Sequence, residues 1–147
     1  MTDLTLQRIL KTVRHEEPDQ VPVQLMAIGA YLSGFVGIRE REYLMDMSKM
    51  FNAQMAFRKK FCTNYDVCIL QSLPRPDFHE VIASGFGCKV KWPEDSSPWV
   101  FPIINKPEDI DTLELPDPLH DGLMATTIEF YTFMKKKVGN THFVGPP

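Results

Sequence analysis

The chain has 147 residues, 44% apolar and 24% charged. These values match one globular domain and exclude disordered, collagen-like and coiled-coil readings. Sixteen basic against 19 acidic side chains leave a formal charge of -3, without the positive field that a nucleic-acid partner requires. Cys62, Cys68 and Cys88 make no CxxC or CxH pair, so neither a disulfide framework nor a zinc knuckle is written here. With no secretory leader and no apolar run near the ~20 residues a bilayer requires, the expectation is a cytoplasmic protein with no membrane partner.

In chain order, Leu6, Ile9, Leu10 and Val13 fall at i, i+3, i+4 and i+7 and predict a short helix over about residues 4–14. Pro18 follows its end. Residues 21–28 are then almost continuously apolar, the pattern of a strand buried on both faces in a parallel sheet. Gly29, Gly34 and Gly37 predict a loop after that strand. A broad apolar face from Tyr43 to Phe61 predicts one long helix over about residues 40–61. Residues 66–70 read as a second strand, parallel to the first and joined by a right-handed helical crossover.

The alternation then breaks. Phe86, Cys88, Val90 and Trp92 alternate with small or charged residues, residues 93–98 are turn chemistry, and Trp99, Phe101 and Ile103 alternate again. This predicts a β-hairpin at about residues 86–104, inserted beside the main sheet, with Trp92 and Trp99 as a cross-strand pair. Pro98 and Pro102 place the return strand at an edge. Pro107 with Glu108 and Asp109 predicts a short helix, and Asp117-Pro118 starts another that carries Leu119, Leu123, Thr127, Phe130, Tyr131, Met134 and Val138 on one face. Lys135 to Lys137 and Gly139 end it. Residues 141–144 read as a third core strand, closed by Gly145-Pro146-Pro147.

The fold class expected is therefore α/β: the N-terminal portion of a TIM (β/α)8 barrel with an inserted hairpin. Such a barrel needs about 250 residues to close. Residues 1–147 read as one partial domain, with the barrel incomplete.

Several segments resemble the uroporphyrinogen decarboxylase family. They are the opening helix with Glu17-Pro18-Asp19-Gln20-Val21-Pro22-Val23, the loop Met26-Ala27-Ile28-Gly29-Ala30-Tyr31, and Tyr65-Asp66-Val67-Cys68-Ile69-Leu70. Ser84-Gly85-Phe86-Gly87, the stretch from Ile103 to Pro118 and Val144-Gly145-Pro146 follow in order. The superfamily also holds cobalamin-dependent methyltransferases. True decarboxylases carry two arginines in the loop after the first strand, which bind the carboxylates of a tetrapyrrole. This sequence has Met26 and Ala30 there and keeps only Gly29 and Tyr31. The decarboxylases' aspartate near the end of the second strand aligns with Leu73, while Asp77, four residues on, reads as a loop-surface acid. The resemblance thus implies the methyltransferase branch, moving a methyl group between a cobamide and a small acceptor, and disfavours decarboxylation.

The resemblance further implies zinc and a corrinoid in the full-length enzyme and a corrinoid protein as partner. The zinc ligands resemble a His-x-Cys pair plus a later Cys in the barrel's second half, so no catalytic or metal residue is assigned in this chain. Barrel enzymes bind at the carboxyl ends of their strands. The substrate-lining candidates are Met26, Gly29, Ala30, Tyr31, Gln71, Ser72, Leu73 and Gly145. His79, His120 and His142 read as residues away from the chemistry. The chain's partner is either its missing C-terminal half or a second copy; in the latter case a non-catalytic half-barrel is the competing reading, since open strand edges need a cover.

Overall fold

A computed structural model describes residues 3–23, 25–64 and 74–146. Six α-helices, one 3-10 helix and a two-stranded antiparallel sheet are found among them. The first helix, α1 (Asp3–Val13), lies where the apolar spacing puts it. The C-terminal part of its stripe is nevertheless open: Leu10 is 41% and Val13 71% exposed. Arg8 of α1 is buried, and its Nε and Nη2 both donate to the Asp19 carboxylate, at 2.9 and 2.8 Å.

Residues 21–28 differ from expectation. None of the described residues there is in a strand, and Val21, Val23 and Met26 are more than half exposed, while Ala27 is buried. Residues 141–144 form no strand either, with Val144 buried and Phe143 exposed. A strand exists only with a ladder partner. The segment expected to lie between these two, residues 66–70, is outside the described residues. Among the described residues, what remains of the arrangement is one backbone bond, Gly145 N–H to the Pro74 carbonyl at 3.0 Å.

The loop expected after residue 28 is instead helix α2 (Gly29–Val36). Gly37 ends it at φ 73°, and the cap sends backbone N–H groups to the Gly34 and Ser33 carbonyls. Only a residue without a Cβ adopts that left-handed turn at little cost. The long helix expected at 40–61 is two helices, α3 (Glu40–Met45) and α4 (Met47–Asn64). Asp46 separates them because its Oδ1 accepts from the N–H groups of Ser48 and Lys49, at 2.8 and 3.0 Å. That is an N-cap inside an otherwise helical apolar pattern.

The core forms where α4 packs on α2, α3 and the last helix, α6 (Gly122–Val138). Leu32, Tyr43, Leu44, Met50, Phe57 and Met134 are its buried centre. Aromatic rings meet at its margin, Phe57 and Phe61 at 4.5 Å and Phe78 and Phe130 edge-to-face at 4.9 Å. Helix α6 presents Thr127, Phe130, Met134 and Val138 to this core, as its spacing predicts. It begins later than expected, so Leu119 sits in a preceding turn and is 64% exposed. There Asp121 Oδ2 accepts from the Asp117 N–H (2.7 Å) and Asp117 Oδ1 from the Leu119 N–H (2.9 Å). These side chains satisfy a turn rather than a helix start.

Before α6 runs a short helix, α5 (Val81–Gly85), then the antiparallel pair β1 (Val90–Lys91) and β2 (Trp99–Val100), then a 3-10 helix (Pro107–Thr112) that starts on its proline as expected. The ladder sets Val90 opposite Val100 and Lys91 opposite Trp99. The Trp92–Trp99 pair is therefore not formed: the Lys91 ammonium lies 4.8 Å from the Trp99 ring centroid, and Trp92 packs on the core. Pro98 and Pro102 lack the N–H that further rungs would need, which keeps the ladder short. The hairpin turn docks on the start of α3, where Ser97 Oγ donates to Glu40 Oε1 at 2.9 Å and Arg39 pairs with Glu94 at 3.2 Å.

Candidate functional site

Of the loop candidates, Gly29, Ala30 and Tyr31 fall on the first turn of α2, and Met26 precedes it. Met26 is 73% exposed and Tyr31 53%, and Ala30 is exposed. The Tyr31 ring stacks on Phe35 and meets Phe57 edge-on, so its position is set by packing from below. Gly29 is buried. A Cβ there would come within 3.3 Å of Tyr43 Cε1 and 3.4 Å of Glu40 Oε1; the absent side chain is what allows α2 to start against the Tyr43 ring.

Tyr43 then carries the loop to a second one. Its phenol donates to Asp77 Oδ2 at 2.9 Å and accepts from Gln54 Nε2 at 2.8 Å. The same Gln54 amide grips the Arg75 backbone from both sides. Its Nε2 donates to the Arg75 carbonyl (2.9 Å) and its Oε1 accepts from the Arg75 N–H (2.8 Å). Pro74, Pro76 and Asp77 are fully buried around this clamp. Arg75 closes the circuit with Nη2 on Asp77 Oδ1 at 3.0 Å. Burial, reinforced by the Asp77 carboxylate, pushes the Tyr43 phenol far above its usual pKa, so Tyr43 remains a donor to that carboxylate at every physiological pH.

The expectation that Asp77 is a loop-surface acid is therefore wrong. It is 2% exposed and anchors the segment that follows the second expected strand. Its partners lie 34 residues back on α3 and two residues back on the same loop, which no local spacing rule reveals. The one available signal was Pro-Arg-Pro-Asp itself, a charged pair interleaved with two residues of fixed φ.

Of the remaining candidates, Gln71, Ser72 and Leu73 lie outside the described residues. Gly145 is buried and bonded to Pro74. The structure thus brings together the ends of the segments at 21–28 and 141–144 and the loop after 66–70, through Gly29 on Tyr43, Tyr43 on Asp77 and Gly145 on Pro74. Beside Gly145 opens an apolar groove of about 460 Å3, lined by Thr127, Ile128, Tyr131, Phe143, Val144 and Pro146. Thr127 Oγ1 is buried there without a partner.

His79 and His120 are exposed, as expected, and His142 is half-buried. Cys88 is a free, half-buried thiol. Among the described residues no group of three or more His, Cys, Asp or Glu lies together in a way that could hold a metal ion, so the zinc implied by resemblance finds no fitting ligand set in them. No described helix is long and apolar enough to cross a membrane.

The family model for uroporphyrinogen decarboxylase (URO-D) matches residues 4–145. No curated protein sequence matches the chain. Among solved structures the fold is similar to that of a methyltransferase from Methanosarcina mazei, with a TM-score of 0.64 at 20% identity. The match covers 97% of this chain but 41% of that protein, so the chain spans about two fifths of its structural relative's length.

Proposed function

The chain belongs to the uroporphyrinogen decarboxylase family, and we propose from that premise that it is part of a cytoplasmic, corrinoid-linked methyltransferase. The reaction is transfer of a methyl group between a cobamide, carried by a corrinoid protein, and a small acceptor. The chain is not competent alone. The observation that carries this reading is the first loop: Met26 and Ala30 stand exposed where a decarboxylase presents guanidinium groups to an acidic tetrapyrrole. Without those charges a polycarboxylate has no counter-ions there, whereas an apolar wall suits a methyl group. The methyltransferase fold in the Methanosarcina mazei structure supports the choice of branch.

Each residue has a modest task. Met26, Ala30 and Tyr31 wall the mouth and exclude water, with the Tyr31 phenol available as a hydrogen-bond donor. Gly29 and Gly145 let backbone approach closely. The described residues offer no ligand set for a metal, and no step is routed through one; activation of the acceptor belongs to the remainder of the barrel.

The test is to purify the tagged chain from its own cells with whatever completes it, and to supply methylcobalamin and 3-mercaptopropionate, a small thiol acid. Loss of the cobalt–carbon absorbance with the assembly, and none with the isolated chain, is expected. Turnover of uroporphyrinogen by that assembly overturns the reading in favour of a decarboxylase.

A further inference from the structure

We propose that Arg75 is a recognition residue for a carboxylate, which makes the small acceptor of the proposed reaction an acid; this rests on the methyltransferase reading for its meaning, though not for its test. Two arginine–aspartate pairs in the molecule behave differently. Arg8 meets Asp19 with Nε and Nη2 on the two carboxylate oxygens, the closed fork that saturates a carboxylate. Arg75 meets Asp77 with Nη2 on Oδ1 alone, because the Tyr43 phenol occupies Oδ2. A guanidinium has five N–H donors. In Arg75 only Nη2 has an acceptor among the described residues, and Nε is buried without one. The buried Nε is out of reach of an incoming ligand, so the pair neutralises Asp77 and leaves the Nη1/Nη2 end of the guanidinium as the open fork.

An open fork would mean little on a mobile surface side chain, but Arg75 is held. Gln54 bonds both its N–H and its carbonyl, and the flanking Pro74 and Pro76 are fully buried with fixed φ. Its side chain is still 24% exposed, and the neighbouring Pro74 carbonyl is the one that receives Gly145. A fixed, partly reachable guanidinium, one residue from the point where the second loop meets the end of the third segment, is the arrangement that captures one planar carboxylate. A single arginine suits a small monoacid or diacid rather than a polycarboxylate, in keeping with the apolar first loop.

The test follows side-chain Nε–Hε resonances of the 147-residue chain by NMR while succinate, or uncharged succinamide, is added. Saturable movement of the Arg75 signal with succinate and none with succinamide is expected. R75Q should weaken succinate binding at least tenfold, and R75K, which keeps a point charge but no fork, by a similar factor. The double variant R75Q/D77N removes both charges, so it keeps the core neutral and loses binding for the same reason even where R75Q is poorly folded. R41Q, on the exposed Glu94 pair, should bind as the parent does. An Arg75 signal that stays still, or equal binding by R75Q or the double variant, overturns the proposal. Succinate binding without methyl transfer by the purified assembly overturns the methyltransferase reading and leaves the carboxylate site standing.

Discussion

Tyr43 is placed where its loss can be read in isolation. Y43F keeps the ring that supports Gly29 and removes the donor to Asp77 Oδ2. A buried carboxylate short of one hydrogen bond costs about 1–3 kcal/mol, visible as a lower urea midpoint at unchanged slope. Gly122 makes a harsher demand. It has φ +53°, and a Cβ there would collide with the Ser84 backbone, whose hydroxyl accepts the Leu123 N–H at 2.9 Å. G122A should lower stability by more than about 2 kcal/mol, because the left-handed strain adds to the clash. His120 is held above its ordinary pKa of 6.5 by its hydrogen bond to Asp117, which is itself held below 3.8 by the same contact. The contribution from His120 is full below pH 6.5 and fades as pH rises through its raised value. That from Asp117 is present above pH 3.8 and fades as pH falls through its lowered value. An NMR titration should give His120 a pKa above 6.5 in the parent and a lower one in D117N. At this scale, the sequence exposed Gly29 and Tyr31 as candidates by their place in a loop. It concealed Arg75 and Asp77, since their meaning comes from Tyr43 and Gln54, which are distant in the chain.

The helices were legible where their termination signals are local. The face of α6, the proline start of the 3-10 helix and the lysine-rich end of α6 all follow from residues within one or two turns. The break at Asp46 was not, because the apolar period runs through it and only the two backbone N–H groups on its Oδ1 mark a new start. D46A should cost about 1 kcal/mol, the usual value of an N-cap, read as a lower thermal midpoint. The hairpin's turn was written in Pro93 to Pro98, but its register was not: alternation on both sides allows more than one pairing, and the ladder chose Lys91 opposite Trp99. The barrel strands were the least legible. Residues 21–28 and 141–144 carry strand composition, yet a ladder is a property of two segments together, and composition reports on one.

For the molecule as a whole, apolar surface stands open near both ends of the described chain. Val21, Val23 and Met26 at one end and Phe143 at the other are more than half exposed, and the groove between Thr127 and Pro146 is almost wholly apolar. Exposed surface of this kind marks an interaction site. A relative of the same fold, of which this chain spans 41%, has further chain with which to cover it. We propose that these residues form part of a larger assembly and do not work alone. Size-exclusion chromatography with light scattering on the isolated chain measures this most directly. The expected result is a species heavier than the 16.9 kDa monomer, at micromolar concentration. A stable, monodisperse monomer of that mass, with its apolar groove open to water, would contradict it.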